Sequence, residues 1–454
     1  MNKLIFTCVF NKKGYVDLCF LLLESLFIYG NMDHNTHILI YTSTEFKDSI
    51  QKSHLYNEKI RFEINDNYND VDSACKARLD LFSFKVTSNY DKILYIDADT
   101  VIKGPVDSIF NIIEKDILYA GKDGTIDDPQ NYWGQSLFGE EVNNYEDKSA
   151  FSSGIMLFNN CTNIKFLFEK IKEDMSARTH FFHDQPFVVY NAFKYNLYDN
   201  NKLLEVTTTH DEDINSQYVL HHYPIGISND TDKLTIIRNF LFQKKDETIV
   251  NIINQCKAFI NEHLLSIIFN CGELLEGNIF MIHNTFQYTN VFENKVKNIV
   301  SLLLNQNINS VLEIGFNSGF SALLMLMTNP NITLTCIDLG DHRYTMPCYE
   351  KIKEFYGDRI NLIIGNSVNT LPNLTDCYDL IHIDGGHDDF VATNDIVNCY
   401  HLSKNRTILI MDDYDFTNLH ALWDSYIDLY KLKPLDIQLY DSPHHDIKCL
   451  EKNS

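Results

Sequence analysis

Apolar positions in the first part of the chain fall alternately into short runs and helical stripes. Lys3–Phe10, His37–Thr42 and Arg61–Ile64 are short and rich in β-branched or aromatic residues, which predicts strands of a largely buried sheet. Between them, Tyr15–Tyr29 carries Leu18, Leu21, Leu22 and Leu26 on one helical face. Ala74–Val86 predicts a second helix, with Leu79, Phe82 and Val86 inward and Lys76, Arg78 and Lys85 outward. Such alternation predicts a doubly wound α/β unit, whose ligands bind beyond the carboxyl ends of the strands. The run Ile93-Leu94-Tyr95-Ile96 delivers Asp97-Ala98-Asp99 to one of those ends. Farther on, Phe151-Ser152-Ser153-Gly154 predicts a small-residue turn before an apolar strand that ends at Phe158. Asp184-Gln185 precedes the apolar helix Phe187–Phe193, and Val219–His222 predicts a strand followed by a turn at Pro224-Ile225-Gly226.

After Thr231 the pattern changes. Ile252, Ile253, Phe259 and Ile260 recur at helical spacing within Ile249–Phe269, and no Gly/Ser- or Pro-rich stretch interrupts them. A packed helical bridge is expected there rather than a loose tether. A second α/β series follows, with an amphipathic helix over Asn294–Leu304 and a strand from Ser310 into the turn at Gly315. Further strands are expected at Thr333–Ile337, Leu362–Ile364, Tyr378–Ile383 and Ile408–Met411. The expected organisation is therefore a first domain over 1–235, a helical connector over 236–284 and a second domain over 285–454. The two halves open differently, so this is no internal repeat.

Length and charge narrow the possibilities. A chain of 454 residues exceeds one ordinary domain, and 44% hydrophobic with 22% charged residues suits globular cores. The net charge of −24 argues against non-specific nucleic-acid binding, which needs a basic surface, and disfavours an anionic membrane. The eleven cysteines are scattered without a C-x-x-C motif, which suggests reduced thiols and a cytoplasmic location. The opening MNKLIFTCVF has no small-residue cleavage site. Cys19–Tyr29 is too short to span a membrane and contains Glu24, so no membrane segment is expected.

Several strand ends carry candidate chemistry. Two carboxylates at Asp97 and Asp99 repel each other and lose hydration unless a cation lies between them. A hard divalent ion takes such oxygens and can hold a diphosphate, while Ala98 leaves room for a ligand to approach the backbone. In the second half, Glu313, Gly315 and Gly319 mark a strand–turn–helix, and Asp338 at the next strand end is placed to accept both hydroxyls of a ribose. The turn reads G-x-x-x-G, which weakens a pyrophosphate-cradling dinucleotide reading. Asp384, Asp412 and Asp413 end neighbouring strands and suit an octahedral Mg²⁺ ion. His387 could take a hydroxyl proton near neutral pH. Each residue also has a plainer role: Arg78 as a solvated helix residue, Asp184, Asp384 and Asp413 as caps, His222 as half-buried, His387 as surface.

In family order, residues 1–235 resemble the retaining glycosyltransferases of the glycogenin-like group, family 8 type, with a GT-A fold. The resemblance implies a nucleotide-sugar donor, UDP-linked, and a glycan or other acceptor. It implies a Mn²⁺ ion held by Asp97, Asp99 and His222, with His221 as the alternative histidine. Phe10, Asn11 and Tyr15 would meet the nucleobase and Arg78 the diphosphate. Ser153 and Gly154 would meet the sugar, and Asp184 and Gln185 would lie near the anomeric carbon. This chain has one residue more between His222 and Gly226 than the family's H-x-x-G-x-x-K-P-W and lacks its Lys-Pro-Trp, leaving Lys233 as a substitute for the phosphate-binding lysine.

Residues 285–450 resemble class I S-adenosylmethionine-dependent methyltransferases with a Rossmann-like fold. Glu313, Gly315, Gly319 and Asp338 would bind the cofactor, and Asn366 and Ser367 its adenine. The aspartates at the strand ends further resemble metal-dependent O-methyltransferases, including enzymes that methylate sugar hydroxyls, and in those His387 would be the general base. The expectation is a bifunctional enzyme that transfers a sugar and methylates a hydroxyl. Two alternatives are a glycosyltransferase with a non-catalytic cofactor-sensing domain and a non-catalytic glycan-assembly scaffold.

Overall fold

Strands β1 (Lys3–Val9), β2 (Thr36–Thr42), β3 (Ile60–Ile64) and β4 (Lys92–Ile96) pair in parallel in the order β3-β2-β1-β4. This computed structural model describes residues 1–145, 148–209, 213, 215–224, 230–304, 307–435 and 437–452. Its two units are Met1–Lys244 and Lys245–Ser454. After β4 come the short β5 (Thr100–Ile102), β6 (Leu118–Thr125), β7 (Ser149–Asn159), β8 (Tyr198–Asp199), β9 (Thr207–Thr209) and β10 (Leu220–His222). The main sheet extends past β4 as β7-β6-β8, with β7 antiparallel to both β4 and β6. A small second sheet has the order β5-β10-β9.

Both faces of the main sheet are covered, as the apolar runs require. Along β1, Ile5 packs with Leu22 and Leu26 of the helix Lys13–Tyr29, while Leu4 and Phe6 enter the opposite core with Tyr95, Phe158 and Phe168. The period-two alternation therefore divides one strand between two apolar layers.

Two local expectations fail. The single helix predicted over Ala74–Val86 is instead an α-turn Val71–Lys76 followed by 3₁₀ turns Ala77–Ser83 and Lys85–Asn89. Tightening to three residues per turn changes which side chains share a face. Arg78, expected outward, points inward and is largely covered, and its guanidinium is matched by carboxylates inside the unit. The turn expected at 151–154 is the middle of the continuous strand β7, held by β4 on one side and β6 on the other. Register irregularities against β6 absorb the small residues there. The Pro224-Ile225-Gly226 turn falls largely on Ile225 and Gly226, outside the described residues.

The helix Asp230–Phe259 carries the chain across the unit boundary and continues as a π-turn Ile260–Leu264 and a helix Leu265–Cys271. In the second unit, β11 (Ser310–Ile314), β12 (Thr333–Asp338), β13 (Ile360–Ile364), β14 (Tyr378–Ile383), β15 (Ser403–Asp412) and β16 (His445–Leu450) form one sheet. Its order is β13-β12-β11-β14-β15-β16, parallel except for β16. The chain reverses its direction of winding between β11 and β14, so the carboxyl ends of β11, β12 and β14 open onto a switch-point crevice. Among the described residues, no helix is long and apolar enough to cross a membrane.

Candidate active sites

In the first unit, β4 stops at Ile96 because Asp97 leaves the parallel ladder and its N–H donates to the Gly154 carbonyl of β7, at 2.8 Å. The Tyr95 hydroxyl donates to Asp97 Oδ1. Three residues on, β5 pairs with β10 in a register that sets His222 opposite Thr100. The Tyr223 N–H donates to the Asp99 carbonyl at 3.0 Å, which ties the end of β10 to the aspartate turn. His222 Nε2 therefore lies 3.4 Å from Asp99 Oδ1 and 3.9 Å from Asp97 Oδ2. One ligand atom from each of the three residues fits within 4.8 Å of the others. His221 points elsewhere, with Nε2 3.3 Å from Ser216 Oγ and its ring 4.9 Å from Phe240.

The donor atoms fit a divalent cation. Among the described residues, Asp99 Oδ1 and both ring nitrogens of His222 are buried without a hydrogen-bond partner, which costs free energy in a folded protein unless something binds them. Gly154 keeps the space open: a Cβ there would stand 2.7 Å from His222 Nε2 and 2.9 Å from Asp97 Oδ2. Lys233 Nζ donates to the other oxygen, Asp99 Oδ2, at 2.7 Å. Burial works to raise the Asp99 carboxyl, but His222 and Lys233 together hold it well below the usual carboxylate range.

Beside this cradle, Arg78 collects the remaining predicted residues. Its Nη1 donates to the Ser153 carbonyl at 2.6 Å, and its Nε lies 3.0 Å from Asp184 Oδ2. Nη1 is 3.6 Å from Asp97 Oδ1, and the guanidinium sits over the Tyr95 ring at 4.8 Å. Burial raises the Asp184 carboxyl, Arg78 opposes that, and Asp97 reinforces it. Gln185 clamps β7: Oε1 accepts from the Ser153 N–H at 2.7 Å, and Nε2 donates to the Phe151 carbonyl at 2.7 Å. Both halves of its amide are thus committed to β7.

At the end of β1, Phe10 is buried and packs edge-on against Tyr41 and Tyr68. Asn11 takes a left-handed conformation, φ 73°, which turns the chain into the helix containing Tyr15. Ala98 is buried between the two aspartates. Tyr41 and Tyr68 escaped the sequence reading; the only signal was aromatic residues near successive strand ends.

The second unit has a cavity of about 360 Å³ at its switch point, large enough for a cofactor. Gly315, Asp338, Asn366, Ser367, Asp384 and Gly385 are among its lining residues. Gly315 has φ 93°, and a Cβ there would overlap the Asp384 carbonyl. Asp338 Oδ2 accepts from the Phe316 and Asn317 N–H groups at 2.8 Å each, and Oδ1 accepts from Gly340 N–H at 2.7 Å. The acid thus braces the glycine turn itself. Gly319 starts the helix Phe320–Thr328, and Glu313 faces away from the cavity, with Oε1 3.2 Å from His382 Nδ1.

Asp384 and Asp412 come together with His382, one ligand atom of each lying within 4.8 Å of the others. His382 Nε2 is 3.1 Å from Asp412 Oδ2, and Lys295 Nζ is 2.5 Å from Asp412 Oδ1. Asp413 turns from this group in a left-handed conformation, φ 52°, and its Oδ2 lies 2.8 Å from His387 Nε2. Burial and then the Asp412 charge push the Asp384 carboxyl far up. Burial also opposes ionisation of Asp412, but Lys295 and His382 hold it far down. Burial lowers His382, yet Asp412 and Glu313 outweigh it and raise the imidazole to about 10. His387 is raised chiefly by its hydrogen bond to Asp413. Lys295 and His382 were missed from sequence. Lys295 and Asn298 lie at i and i+3 from each other, on the buried stripe that continues to Leu302, and a lysine there was a readable signal.

Comparison with known proteins gives two domain matches. The family model "Glycosyl transferase family 8" matches residues 23–223, and "Methyltransferase domain" matches residues 312–414. No curated protein matches in sequence. Among solved structures, mouse xyloside xylosyltransferase 1 is similar at 11% identity and TM-score 0.36, covering 50% of this chain and 100% of that one. The O-methyltransferase TomG of Streptomyces achromogenes, in complex with SAM, is similar at 15% identity and TM-score 0.29, covering 35% and 80%. A Bacillus cereus O-methyltransferase in complex with SAH is similar at 16% identity and TM-score 0.30, covering 45% and 91%. The expected α/β fold class holds in both units. The chain joins a glycosyl transferase family 8 domain to a methyltransferase domain.

Proposed function

We propose that the first unit transfers a sugar from a UDP-sugar to a glycan or other acceptor, with retention of configuration. The observation that carries this is the Asp97–Asp99–His222 cradle with its buried, unbonded donor atoms. Asp97, Asp99 and His222 would hold Mn²⁺, which when bound neutralises charge on the departing diphosphate. Phe10, Asn11 and Tyr15 receive the nucleobase, Ala98 and Gly154 leave room for the diphosphate, and Ser153 meets the sugar. Lys233 supplies a positive charge beside Asp99. Asp184 acts at the anomeric carbon, positioned by Arg78, while Gln185 holds β7 and so places Ser153.

The second unit, in the same reading, methylates a hydroxyl with S-adenosylmethionine. The cavity at Gly315, Asp338, Asn366 and Ser367 receives the cofactor. Glu313 and Gly319 support its turn from behind and from the helix start. His387 donates its Nε2–H to Asp413, which leaves Nδ1 to take the hydroxyl proton as the methyl group moves to oxygen. A sugar hydroxyl on the same glycan is the acceptor that gives both domains one product. All eleven cysteines are free, which suits a reducing, cytoplasmic setting.

Thermal unfolding of the full chain tests both halves, because a ligand bound only by the folded state raises the midpoint. UDP-sugars with Mn²⁺ should raise it in the wild type and not in Asp97→Ala, and S-adenosylhomocysteine should raise it in both. A UDP-sugar shift without an S-adenosylhomocysteine shift would demote the second unit to a structural module. No shift with either ligand would favour the scaffold.

A further inference from the structure

The carboxyl ends of β14 and β15 bring Asp384 and Asp412 together, with Asp413 turned aside to His387, and such a group needs a counter-cation. The chain itself supplies one. Lys295, on the helix Glu293–Leu303, reaches Asp412 Oδ1 at 2.5 Å, and its side chain is 7% exposed against 0% for Asp412. One turn along that helix, Asn298 Nδ2 donates to the Tyr440 carbonyl at 2.8 Å and lies 3.1 Å from His445 Nε2, which fixes the helix against the sheet. Asp412's second oxygen meets His382, whose other ring nitrogen meets Glu313. A buried row in which acids and bases alternate therefore runs Glu313–His382–Asp412–Lys295.

The two candidate metal clusters found among the described residues differ in how far their ligand atoms are already paired. In the first unit, Lys233 holds only Asp99 Oδ2, and among the described residues Asp99 Oδ1 and both His222 nitrogens have no hydrogen-bond partner. In the second, both Asp412 oxygens and both His382 nitrogens are already paired. A divalent ion entering the second group would meet the Lys295 ammonium on Asp412 and a His382 with both nitrogens engaged, leaving the Asp384 carboxylate and a lone pair of Asp412 Oδ2 as its oxygen ligands. These residues do not fit the Mg²⁺ expected at Asp384, Asp412 and Asp413.

We propose that Lys295 is the resident cation of the methyltransferase site and that this site works without a divalent ion. Lys295 is a positioning residue. It fixes Asp412, whose Oδ1 accepts from the Asp413 N–H at 2.8 Å, and Asp413 in turn holds His387. Activation of the acceptor then falls to the His387–Asp413 pair alone. The acceptor has no need to offer two neighbouring oxygens to a metal, so the site suits a single hydroxyl. This inference rests on the methyltransferase reading of the second unit.

Counting bound Mn²⁺ by electron paramagnetic resonance tests it, using the full chain with UDP and millimolar free Mn²⁺. The wild type should bind one ion per chain, Asp99→Asn none, and Lys295→Ala one more than the wild type, because removing the ammonium opens Asp384, Asp412 and His382. An ion that persists in Asp99→Asn and disappears in Asp412→Asn would overturn the proposal. Should Lys295→Ala fail to fold, the counts for the wild type and Asp99→Asn decide alone. No ion in either of these proteins supports Lys295 and defeats the Mn²⁺ role of Asp97, Asp99 and His222. Calorimetric binding of S-adenosylhomocysteine in EDTA and in Mg²⁺ should agree within about twofold; absence of binding in both is failure of the methyltransferase reading instead.

Discussion

Arg78 Nε lies 3.0 Å from Asp184 Oδ2, joining the 3₁₀ turn after β3 to the start of the helix Gln185–Lys194. Neither side chain is more than 12% exposed, so the pair exchanges charge in a poorly hydrated space. Arg78→Met would leave Asp184 buried with Asp97 as its nearest named charge. Breaking one side of a buried pair costs roughly 3–5 kcal/mol, which is the expected loss in urea denaturation of the first unit. Arg78→Lys keeps the charge but loses the fork that reaches Ser153 and Asp184 together, so an intermediate loss is expected. Equal stability for Arg78→Met and the wild type would show that the pair carries no structural weight.

Gly154→Ala tests the cradle directly. The added methyl would press on His222 Nε2 and Asp97 Oδ2, yet its backbone sits in an ordinary strand where alanine is tolerated. Mn²⁺-dependent hydrolysis of the UDP-sugar should fall by about two orders of magnitude, and overlap of the methyl with the buried His222 ring should cost about 1–3 kcal/mol of stability. That fall in rate corresponds to roughly 3 kcal/mol of lost transition-state stabilisation. Full activity in Gly154→Ala would mean that the three ligands do not converge on one ion.

Asp338 braces the glycine turn, and substitution separates that from the ribose contact proposed for it. Its carboxylate accepts from three backbone N–H groups, those of Phe316, Asn317 and Gly340, so Asp338→Ala removes three charge-assisted hydrogen bonds as well as the proposed ribose contact. Asp338→Asn can keep one amide oxygen towards the turn but loses the charge. Titration calorimetry should show S-adenosylhomocysteine affinity reduced at least tenfold in both variants, with the larger loss of stability in Asp338→Ala. Equal affinities in wild type and Asp338→Asn would confine this residue to bracing the turn.

Much of this arrangement was legible in the residues themselves. Apolar runs and helical stripes announced parallel α/β units, and Asp97-Ala98-Asp99 was recognisable because a buried run stops where two carboxylates begin. What the sequence concealed depended on pairing between distant segments. The placement of His222 rather than His221 against the aspartates follows from the β5–β10 register, which no local spacing specifies. Arg78 looked solvated because a continuous helix was assumed; the 3₁₀ turns put it inside. Lys295 lies within the amphipathic helix expected over Asn294–Leu304 and drew no notice there, because its partner Asp412 lies on a strand far along the chain. The committed amide of Gln185 was equally invisible, since its partners are backbone groups of β7.

The His387–Asp413 pair has a pH signature of definite sign. Asp413 raises the imidazole above its ordinary 6.5, and partial burial works against that rise. The base form therefore appears only above that shifted value, and methyl transfer should climb with pH through a midpoint above 6.5. Removing the charge in Asp413→Asn leaves burial as the main influence, so the midpoint should move down. Stability follows the same pair in the other direction: the gain is complete below the unfolded histidine's pKa and is lost as pH rises through the folded one. A proton NMR titration of the His387 ring, assigned with His387→Asn, measures the midpoint without needing the acceptor. A wild-type midpoint at or below that of Asp413→Asn would remove Asp413 from the role of orienting the base.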